Sequence, residues 1–420
     1  MTNDEYIRQH RDDDVRRLAL AKTPEGVDVR WCLQQIEGRQ LAQRKLPQWA
    51  ATEGLHYPPH LALEQCSGEE TALYKRRIVE RLIPDRERTA MADLTGGLGV
   101  DFSSIAPLFR EADYVEILPH LRQLAQHNFP LLGLPHARVA APEHYQLSEK
   151  ALQLVYLDPA RRDRAGRKTV GIEDCTPNLL EMQDEVLGRA RWMMVKLSPM
   201  LDITEALRRL HAVREVHVVS VRGECKELLF VMGGPADAPT GDRPAVHCVN
   251  LGTDDDHVVL GFPFTGAAQL ISSDDFCKKA SLRAAAEEDG SKSGCPAQAD
   301  ASLFLYEPNA SLLKAGVQDA LCERYGVSKL HPHSHLFVGE TFHERFPGRR
   351  FRIADMSDFS KRGVKRLIGS LRRANITVRN FPTDVASLRR QLKLNEGGDD
   401  YLFATTLCGE QRVLIRCRRV

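Results

Sequence analysis

An apolar segment of the chain ends abruptly in a group of polar residues at Asp158. The sequence LVYLDPARRD, residues 154–163, has the pattern of a buried strand followed by Asp158, Pro159 and a run of arginines. Ligands of open parallel sheets bind beyond the carboxyl ends of the strands. A carboxylate and a guanidinium group at such a strand end therefore indicate a binding or catalytic site.

A second candidate site is the segment DLTGGLGVD, which begins at Asp93 directly after an earlier apolar run. It has Thr95, Gly97 and Gly99 at alternate positions, and glycine permits tight turns and close approach of the backbone to a ligand. Glu116 stands 23 residues after Asp93, where an acid can bind the two hydroxyls of a ribose. An acid in front of the glycines suits a cationic or amino-acid moiety better than a pyrophosphate.

Length and composition limit the class of protein. A chain of 420 residues is too long for one ordinary core and indicates about two to four domains. It is 42% hydrophobic and 27% charged, and no apolar run approaches the length of about 18 residues that a membrane span needs. The start, MTNDEYIRQH, lacks the apolar core of a signal peptide. We expect a globular, cytoplasmic protein without a membrane partner.

The cysteine and histidine residues do not have the spacing of known metal-binding motifs. The ten cysteines are scattered singly without a CxxC pair, which is typical of reduced thiols rather than of a zinc ribbon or redox motif. His331, His333 and His335 form HPHSH, but no carboxylate or cysteine with ligand spacing accompanies them. We expect no metal ion.

The pattern of apolar residues changes along the chain. Residues 1–85 have three- and four-residue spacing and predict helices, the last of which, SGEETALYKRRIVERL, begins with a capping box of Ser67 and Glu70. From about residue 88, short apolar runs alternate with helical stretches, which is typical of a parallel sheet built from βαβ units. The last two of seven predicted strands, separated by GECKE, form a hairpin.

The net charge of +1 is unevenly distributed. Residues 345–420 hold 18 lysine and arginine residues against 7 aspartate and glutamate residues, a net charge of +11, which leaves about −10 on residues 1–344. An excess of positive charge in one small module destabilises the module unless a bound polyanion neutralises it. Rows of basic residues are usually solvated helix faces, but this excess indicates RNA binding. The candidate contacts are Lys361, Lys365, Arg372, Arg389, Arg390 and Lys393.

The strand ends resemble those of class I S-adenosylmethionine-dependent methyltransferases. Asp93, Gly97 and Gly99 match the first motif of that family. Thr95 stands where a glycine is common, and Glu116 matches the acid of the second strand. LDPA matches the fourth-strand motif (D/N)PP(Y/F). More narrowly, EQCSGEETALYK, DPARRD, KLSPMLD and the C-terminal end are similar to a bacterial family of such enzymes with a C-terminal THUMP-like domain.

The resemblance implies an α/β fold with a doubly wound, seven-stranded, Rossmann-like methyltransferase sheet. It also implies ferredoxin-like and THUMP-like α+β modules after the sheet. The expected domains are an N-terminal helical domain, the methyltransferase domain, a linker with a mixed α/β module, and the basic THUMP-like domain. Their expected bounds are 1–86, 87–235, 236–344 and 345–420.

The resemblance further implies that S-adenosylmethionine is the cofactor and that RNA, as tRNA or rRNA, is the methyl acceptor. The implied cofactor-binding residues are Asp93, Thr95, Gly97, Gly99, Asp101 and Glu116. The implied target is an exocyclic amine or ring nitrogen of a base, whose N–H would donate to Asp158 or to the carbonyl of Pro159.

Three further residues complete the implied catalytic pocket. Arg161 stands where related enzymes have an aromatic residue that stacks on the base, and arginine can also stack or bind a phosphate. Alternatively, Arg161 only pairs with nearby acids such as Asp174. Lys196 and Ser198, in VKLSP at the next strand end, would lie across the pocket.

Other functions stay open at this point. Methylation of uridine carbon 5 needs a cysteine at the end of the next strand, where VKLSP has none, and Cys175 lies about one helix too early. A small-molecule methyltransferase and a non-catalytic RNA-binding protein are further alternatives. The helix with Thr71 and Lys75 on one face either closes over the cofactor, leads RNA inward or is an ordinary solvated helix.

Overall fold

The computed structural model describes residues 1–22, 24–147, 151–161, 171–233, 244–252, 256–261, 270, 272–288 and 303–420. Two units make up the chain, residues 1–247 with 251–255, and residues 248–250 with 256–420. Within the described ranges, no helix is long and apolar enough to span a membrane.

Helices form the first 85 residues, as the sequence predicts. They are α1 (Asn3–His10), α2 (Val15–Ala19), α3 (Val29–Lys45), α4 (Pro47–Ala51), α5 (His60–Gln65) and α6 (Glu69–Leu82). The predicted capping box of Ser67 and Glu70 is wrong, because Gly68 is the N-cap of α6 and no side chain caps this helix. The Ser67 hydroxyl donates instead to Asp101 at 2.7 Å.

Strands and helices alternate in the next part of the chain. The elements are β1 (Ala90–Asp93), α7 (Val100–Ile105), β2 (Glu111–Val115), α8 (Pro119–Leu131), β3 (Ala137–Ala140), β4 (Leu152–Leu157), β5 (Ala160–Arg161), β6 (Cys175–Thr176), α9 (Leu179–Leu187), β7 (Ala190–Leu197), α10 (Ile203–Arg209), β8 (Val213–Val221), β9 (Glu224–Gly233), β10 (Ala245–Leu251) and β11 (Asp256–Gly261). Runs such as AMAD in β1 are wholly buried, as expected for parallel strands covered on both faces.

Nine of these strands form one sheet in the order β11-β10-β8-β9-β7-β4-β1-β2-β3. Strands β1, β2, β3, β4 and β7 are parallel, and β9 is antiparallel to both β7 and β8. The seven predicted strands and the predicted hairpin are therefore confirmed. The sequence did not indicate that β10 and β11 continue this sheet.

The register places the predicted strand-end residues at one edge of the sheet. Asp93 at the end of β1 pairs with Tyr156, and Leu157 at the end of β4 pairs with Val195. Asp158 therefore follows β4 beside the last residues of β7. We call this the carboxyl edge, the edge at which β1, β2, β4 and β7 end.

A second sheet lies in the C-terminal unit. The elements there are α11 (Ser273–Glu288), β12 (Phe304–Pro308), α12 (Ala310–Ala315), α13 (Gln318–Tyr325), β13 (Ser328–Lys329), β14 (Phe337–Gly339), β15 (Gly348–Asp358), α14 (Lys361–Ile368), β16 (Asn375–Arg379), α15 (Val385–Leu392), β17 (Asp400–Thr406) and β18 (Arg412–Arg419). The strand order is β13-β14-β12-β15-β18-β17-β16. The β-α-β-α-β-β order predicted for the basic segment is confirmed by β15 to β18.

The two basic helices cover the same face of this second sheet. Leu367 of α14 and Leu388 of α15 belong to one apolar cluster with Leu402 of β17. The neighbouring residue, Phe403, points to the other face, where it packs in a cluster with Phe276 of α11. Because successive strand residues alternate between faces, α14 and α15 lie on one side and α11 on the other.

Candidate active site

The glycine turn after β1 is held by Glu116 at the end of β2. The Gly97 N–H donates to Oε2 of Glu116 at 2.7 Å, and the Leu118 N–H donates to Oε1 at 2.8 Å. The Glu116 side chain is buried, and its two oxygens join the glycine turn to the segment after β2. Glu116, the acid predicted to bind the ribose, thus contacts the glycine turn directly.

Glycine is required at two positions of the turn for different reasons. Gly97 has φ +58°, and a Cβ there would meet nothing nearer than the Thr95 carbonyl oxygen at 3.7 Å. The space above Gly97 is therefore open to a ligand. At Gly99, with φ +83°, a Cβ would lie 2.9 Å from the Phe129 ring, so internal packing requires this glycine. Contact of Gly99 with a cofactor stays a prediction.

Asp93 lies at the bottom of the turn and is almost completely buried. Its Oδ1 accepts the Thr95 N–H at 2.9 Å. Burial raises the pKa of Asp93 to about 8, against the Thr95 hydrogen bond, and the nearby Asp101 and Asp158 carboxylates add to the rise. At neutral pH the Asp93 carboxyl therefore holds a proton until a cation approaches it.

The sequence did not reveal a cavity of about 320 Å³ beside Glu116. Arg122, Ala141 and Glu143 are among its lining residues. Arg122 also donates to the Glu116 carbonyl oxygen at 2.7 Å, so the cavity adjoins the end of β2. The sequence signal for this cavity was that Ala141 to Glu143 directly follow the third parallel strand, at the same edge of the sheet.

Asp158 and Lys196 form an ion pair at the carboxyl edge. The Lys196 Nζ lies 2.5 Å from Oδ2 of Asp158. Burial alone would lower the pKa of Lys196, but the Asp158 and Asp101 carboxylates outweigh it and raise the pKa above its ordinary value. Lys196 is therefore a permanent ammonium group that fixes the Asp158 carboxylate.

The other predicted pocket residues have mixed placements. Pro159 is buried, and Ser198 is buried with its Oγ accepting the Met200 N–H at 3.0 Å, so Ser198 stabilises the turn after β7. The backbone of Arg161 pairs with Cys175, but its side chain lies outside the described part of the chain. Cys175 thus lies nearer to the motif than expected, although its side chain is only 4% exposed.

Asp101, predicted to bind the cofactor, makes three internal contacts. Its carboxylate accepts from the Ser67 hydroxyl at 2.7 Å, the Tyr156 hydroxyl at 2.7 Å and the Lys75 ammonium at 3.0 Å. Burial would raise the pKa of Asp101, but the Lys75 and Lys196 ammonium groups lower it to about 2. Asp101 is therefore a buried anion of the site, and its contact with a cofactor stays a prediction.

Sequence reasoning missed Glu227 and left Lys75 undecided. The Lys75 side chain is completely buried, so the solvated-face interpretation of this helix is wrong. Its ammonium lies 2.8 Å from Oε2 of Glu227. A signal existed for Lys75, which lies between the apolar Ala72 and Val79 on the buried stripe of α6. Glu227 lies in the antiparallel strand β9, and no local pattern relates it to α6.

The structure brings together a histidine cluster other than HPHSH. Glu215, His217 and His247 have potential ligand atoms within 4.8 Å of one another. Glu215 forms an ion pair with Arg81 and accepts from His217 Nε2 at 2.9 Å. These contacts make a partly buried hydrogen-bonded network between α6 and β8.

The predicted RNA-binding residues lie on the surface of the C-terminal unit. The exposed ones are Lys361, Lys365, Arg372, Arg390 and Lys393. Arg389 is half-buried and donates to the Ala374 carbonyl at 3.1 Å. Within the described chain, none of the six forms a salt bridge, whereas Arg366 pairs with Asp355 at 3.0 Å and Arg416 with Asp400 at 2.7 Å. The surface charge is thus uncompensated where it was predicted to bind RNA.

Comparisons of sequence identify both parts of the C-terminal unit. Residues 348–419 match a family described as THUMP domain-like, and residues 304–347 match a family described as a ferredoxin-like domain. Among proteins with curated functions, no protein matches the chain.

The chain is similar over its whole length to a solved structure from Porphyromonas gingivalis W83, assigned as a methyltransferase. The two are 31% identical with a TM-score of 0.79, over 100% of this chain and 97% of the other. A structure from Listeria monocytogenes, assigned as a class I S-adenosylmethionine-dependent methyltransferase, is 9% identical with a TM-score of 0.39, over 60% and 93% of the two chains. An rRNA methylase of Streptococcus thermophilus is 12% identical with a TM-score of 0.29, over 38% and 95%.

The last two similarities are too weak to bear on fold or function, whereas the first spans every unit of the chain. It agrees with the sheet order, with the glycine turn at the carboxyl edge and with the C-terminal family matches. The chain therefore belongs to the bacterial class I S-adenosylmethionine-dependent methyltransferases that carry a C-terminal THUMP-like domain.

Proposed function

We propose that this methyltransferase transfers the methyl group of S-adenosylmethionine to an exocyclic amine or ring nitrogen of an RNA base, in tRNA or rRNA. The observation that carries the proposal is the connection of two sites through Thr95. Its hydroxyl accepts the Asp158 N–H at 2.6 Å and lies 3.3 Å from Oδ1 of Asp93. The proposed cofactor turn and the proposed acceptor site are therefore joined by one side chain.

The residues of the turn fit S-adenosylmethionine. The open space above Gly97 is a cradle that a side chain would fill, and Asp93 provides a carboxyl group for the ammonium of the amino-acid moiety. Glu116 would bind the ribose hydroxyls, and the cavity beside it would hold the adenine. The cofactor supplies a methyl group on a sulfonium, an activated donor that needs no further activation by the protein.

The acceptor site then has to align a nitrogen lone pair with that methyl group. Asp158 and the carbonyl of Pro159 would accept hydrogen bonds from the amine, which directs the lone pair toward the methyl carbon. Transfer of the methyl group to the nitrogen would release one proton from it, and Asp158 or water would accept that proton. Alignment of this kind is the main catalytic demand of the reaction, and the Lys196 contact holds Asp158 in place for it.

RNA is the acceptor class that the C-terminal unit favours. Lys361 and Lys365 lie one turn apart on α14, and Arg390 and Lys393 lie at the end of α15, which covers the same face of the sheet. Exposed, unpaired basic side chains on one small module suit a phosphate backbone. A small-molecule methyltransferase would have no use for this charge.

The nucleosides of cellular RNA test the proposal. RNA from cells with and without the gene is digested, and the modified nucleosides are compared by mass spectrometry. We expect one N-methylated nucleoside to disappear without the gene and to return with the intact gene but not with an Asp158→Ala gene. Identical nucleoside profiles in tRNA and rRNA from the two strains would contradict RNA methylation.

A further inference from the structure

We propose that Lys75 is a positioning residue of the active site. Its ammonium balances the buried carboxylates of Asp101 and Glu227 and thereby leaves the ammonium of Lys196 to pair with Asp158. This inference rests on the proposed function only where it assigns Asp158 to methyl transfer. The placement of Lys196 is a property of the folded protein and is measurable without any substrate.

Lys75 connects three elements that are far apart in the sequence. Its Nζ lies 3.0 Å from Oδ1 of Asp101, 2.8 Å from Oε2 of Glu227 and 3.5 Å from the Ser67 hydroxyl. Lys75 is wholly unexposed, Asp101 is 8% exposed and Glu227 is 4% exposed. Water therefore does little to screen these charges, and each depends on its protein partners.

Lys196 lies at the open end of the same network. Its Nζ contacts Oδ2 of Asp158 at 2.5 Å, the Ser67 hydroxyl at 3.2 Å and Oδ2 of Asp101 at 4.0 Å. Ser67 and Asp101 thus stand between the two ammonium groups. A change of rotamer would be enough to carry the Lys196 ammonium from Asp158 to Asp101.

The charges of the network explain why Lys75 matters to Lys196. Two ammonium groups serve three carboxylates, those of Asp101, Asp158 and Glu227. Without Lys75, one ammonium group would remain for all three, and Lys196 would be attracted more strongly to the more buried of its two carboxylate neighbours because the dielectric is lower there. Asp101 is that carboxylate for Lys196, since Asp158 is the more exposed of the two.

Glu227 is the other group that Lys75 neutralises. Within the described chain, Lys75 is its hydrogen-bond partner, and Oε1 of Glu227 is buried without one. Burial raises the pKa of Glu227 above its ordinary value. Without Lys75 the carboxyl of Glu227 would take up a proton, whereas Asp101 would keep its charge because the Ser67 and Tyr156 hydroxyls still donate to it.

Crystal structures of three full-length variants test the inference. In Lys75→Met, we expect the Lys196 Nζ to leave Asp158 and to lie within a hydrogen-bond distance of about 3.2 Å of Asp101. In Lys75→Met/Asp101→Asn, the competing charge is gone, so Lys196 should return to Asp158. Lys75→Arg conserves the charge and should leave the Lys196–Asp158 pair in place.

The outcomes separate a charge effect from a packing effect. If Lys196 stays on Asp158 in Lys75→Met, the inference is wrong. If Lys75→Met does not fold, the double variant decides: a folded protein with Lys196 on Asp158 supports the inference, and an unfolded one overturns it. Neither result depends on methyl transfer, so a failure of the proposed function would leave this test intact.

Turnover provides a second measurement once RNA methylation is established. We expect the kcat of Lys75→Met to fall by about tenfold or more, with the KM for RNA and the affinity for S-adenosylhomocysteine little changed. Lys75→Arg should recover most of the loss. Equal losses in kcat and in cofactor affinity would show a general disturbance of the fold and would overturn the positioning role.

Discussion

The hydroxyl oxygen of Thr95 accepts a hydrogen bond from the backbone N–H of Asp158 at 2.6 Å. This contact joins two loops that are 63 residues apart, the glycine turn after β1 and the segment after β4. A displacement of one loop relative to the other would break this hydrogen bond. Thr95 stands where a glycine is common in the family, and a glycine there could not make this contact.

Thr95→Val should lower turnover. The valine keeps the shape of the side chain but leaves the Asp158 N–H without its acceptor, and an unsatisfied buried donor costs about 1–3 kcal/mol. If the hydrogen bond is needed in the transition state, its loss decreases kcat about ten- to hundredfold. Steady-state kinetics measures the effect, with Thr95→Ser as the control that keeps the hydroxyl. Full activity in Thr95→Val would show that the junction has no role.

The affinity for S-adenosylhomocysteine should depend on pH through Asp93. Because its pKa is about 8, the carboxyl must lose a proton before it can pair with the ligand ammonium. Affinity should rise nearly tenfold per pH unit from about pH 6 to 7, level off near 8, and fall above that as the ligand amine loses its own proton. Calorimetry measures this profile, and Asp93→Asn should abolish the rising limb. A flat profile in the unaltered protein would remove Asp93 from the cofactor site.

The raised pKa of Asp93 should make the stability of the protein fall with rising pH, whereas it makes the ligand affinity rise. The unfolded chain loses the Asp93 proton near its ordinary pKa, and the folded chain keeps it until about pH 8. The free energy of unfolding should therefore decrease as the pH rises from about 4 to about 8, because the unfolded chain binds fewer protons there. Asp93→Asn should remove this contribution. Denaturant unfolding at a series of pH values measures the difference between the two proteins.

Gly97→Val should abolish cofactor binding. The branched side chain would fill the open space above the turn, and the positive φ would add backbone strain. Gly133→Val is the matched control, since Gly133 has φ +77° and also has open space around its Cβ position, away from the site. Calorimetry with S-adenosylhomocysteine should show no binding to the first variant and ordinary binding to the second. Unchanged affinity in both Gly97→Val and Glu116→Ala would refute the cofactor site.

Asp158→Ala should lower turnover far more than cofactor affinity. The substitution removes the proposed acceptor of the amine N–H, and loss of one aligned hydrogen-bonding group costs about 10²–10³ in kcat. Affinity for S-adenosylhomocysteine should stay within about threefold of the unaltered protein. If turnover and affinity fall equally, Asp158 serves the adenosine and not the methyl acceptor.

The sequence predicted the elements of the site better than their contacts. Alternating strands and helices fixed the carboxyl edge, and Asp93, Glu116 and Asp158 lie there because each directly follows or ends a strand. Local patterns of this kind are readable because the period of apolar residues is local. The Lys75–Glu227 pair spans 152 residues and joins a helix to an antiparallel strand, which no local pattern encodes.

Ser67 and Gly99 show the same limit. Ser67 has the spacing of a capping residue, but burial of Asp101 nearby gives its hydroxyl a charged partner, and this tertiary contact prevails over the local one. Gly99 resembles a cofactor glycine in spacing, but the Phe129 ring occupies the space beside it. Both outcomes depend on packing between elements that are distant in the sequence.

Neutralising the basic surface should weaken RNA binding more than an equal change of charge elsewhere. Deletion of residues 345–420 would be a poor test, because it removes four of the seven strands of the second sheet. The better variant replaces Lys361, Lys365, Arg372 and Lys393 by glutamine. Its matched control replaces four exposed basic residues of the N-terminal segment, namely Arg16, Arg17, Lys22 and Arg30.

Filter binding at several salt concentrations measures the effect of these four substitutions. Each lost phosphate contact should reduce the slope of log affinity against log salt by about 0.7–0.9. The quadruple variant should therefore lose up to about three units of slope, whereas the control should lose little. Equal effects in the two variants, or an RNA affinity that ignores salt, would show that the basic module does not bind the RNA backbone.

Methyl transfer to RNA by the purified full-length chain tests the central claim most directly. RNA from cells that lack the gene is incubated with the protein and with S-adenosylmethionine carrying an isotopically labelled methyl group, and the nucleosides are analysed by mass spectrometry. We predict one labelled N-methyl nucleoside with the unaltered protein and none with Asp158→Ala. Binding of the cofactor without any label in tRNA or rRNA, or label on carbon 5 of uridine, would contradict the proposed reaction.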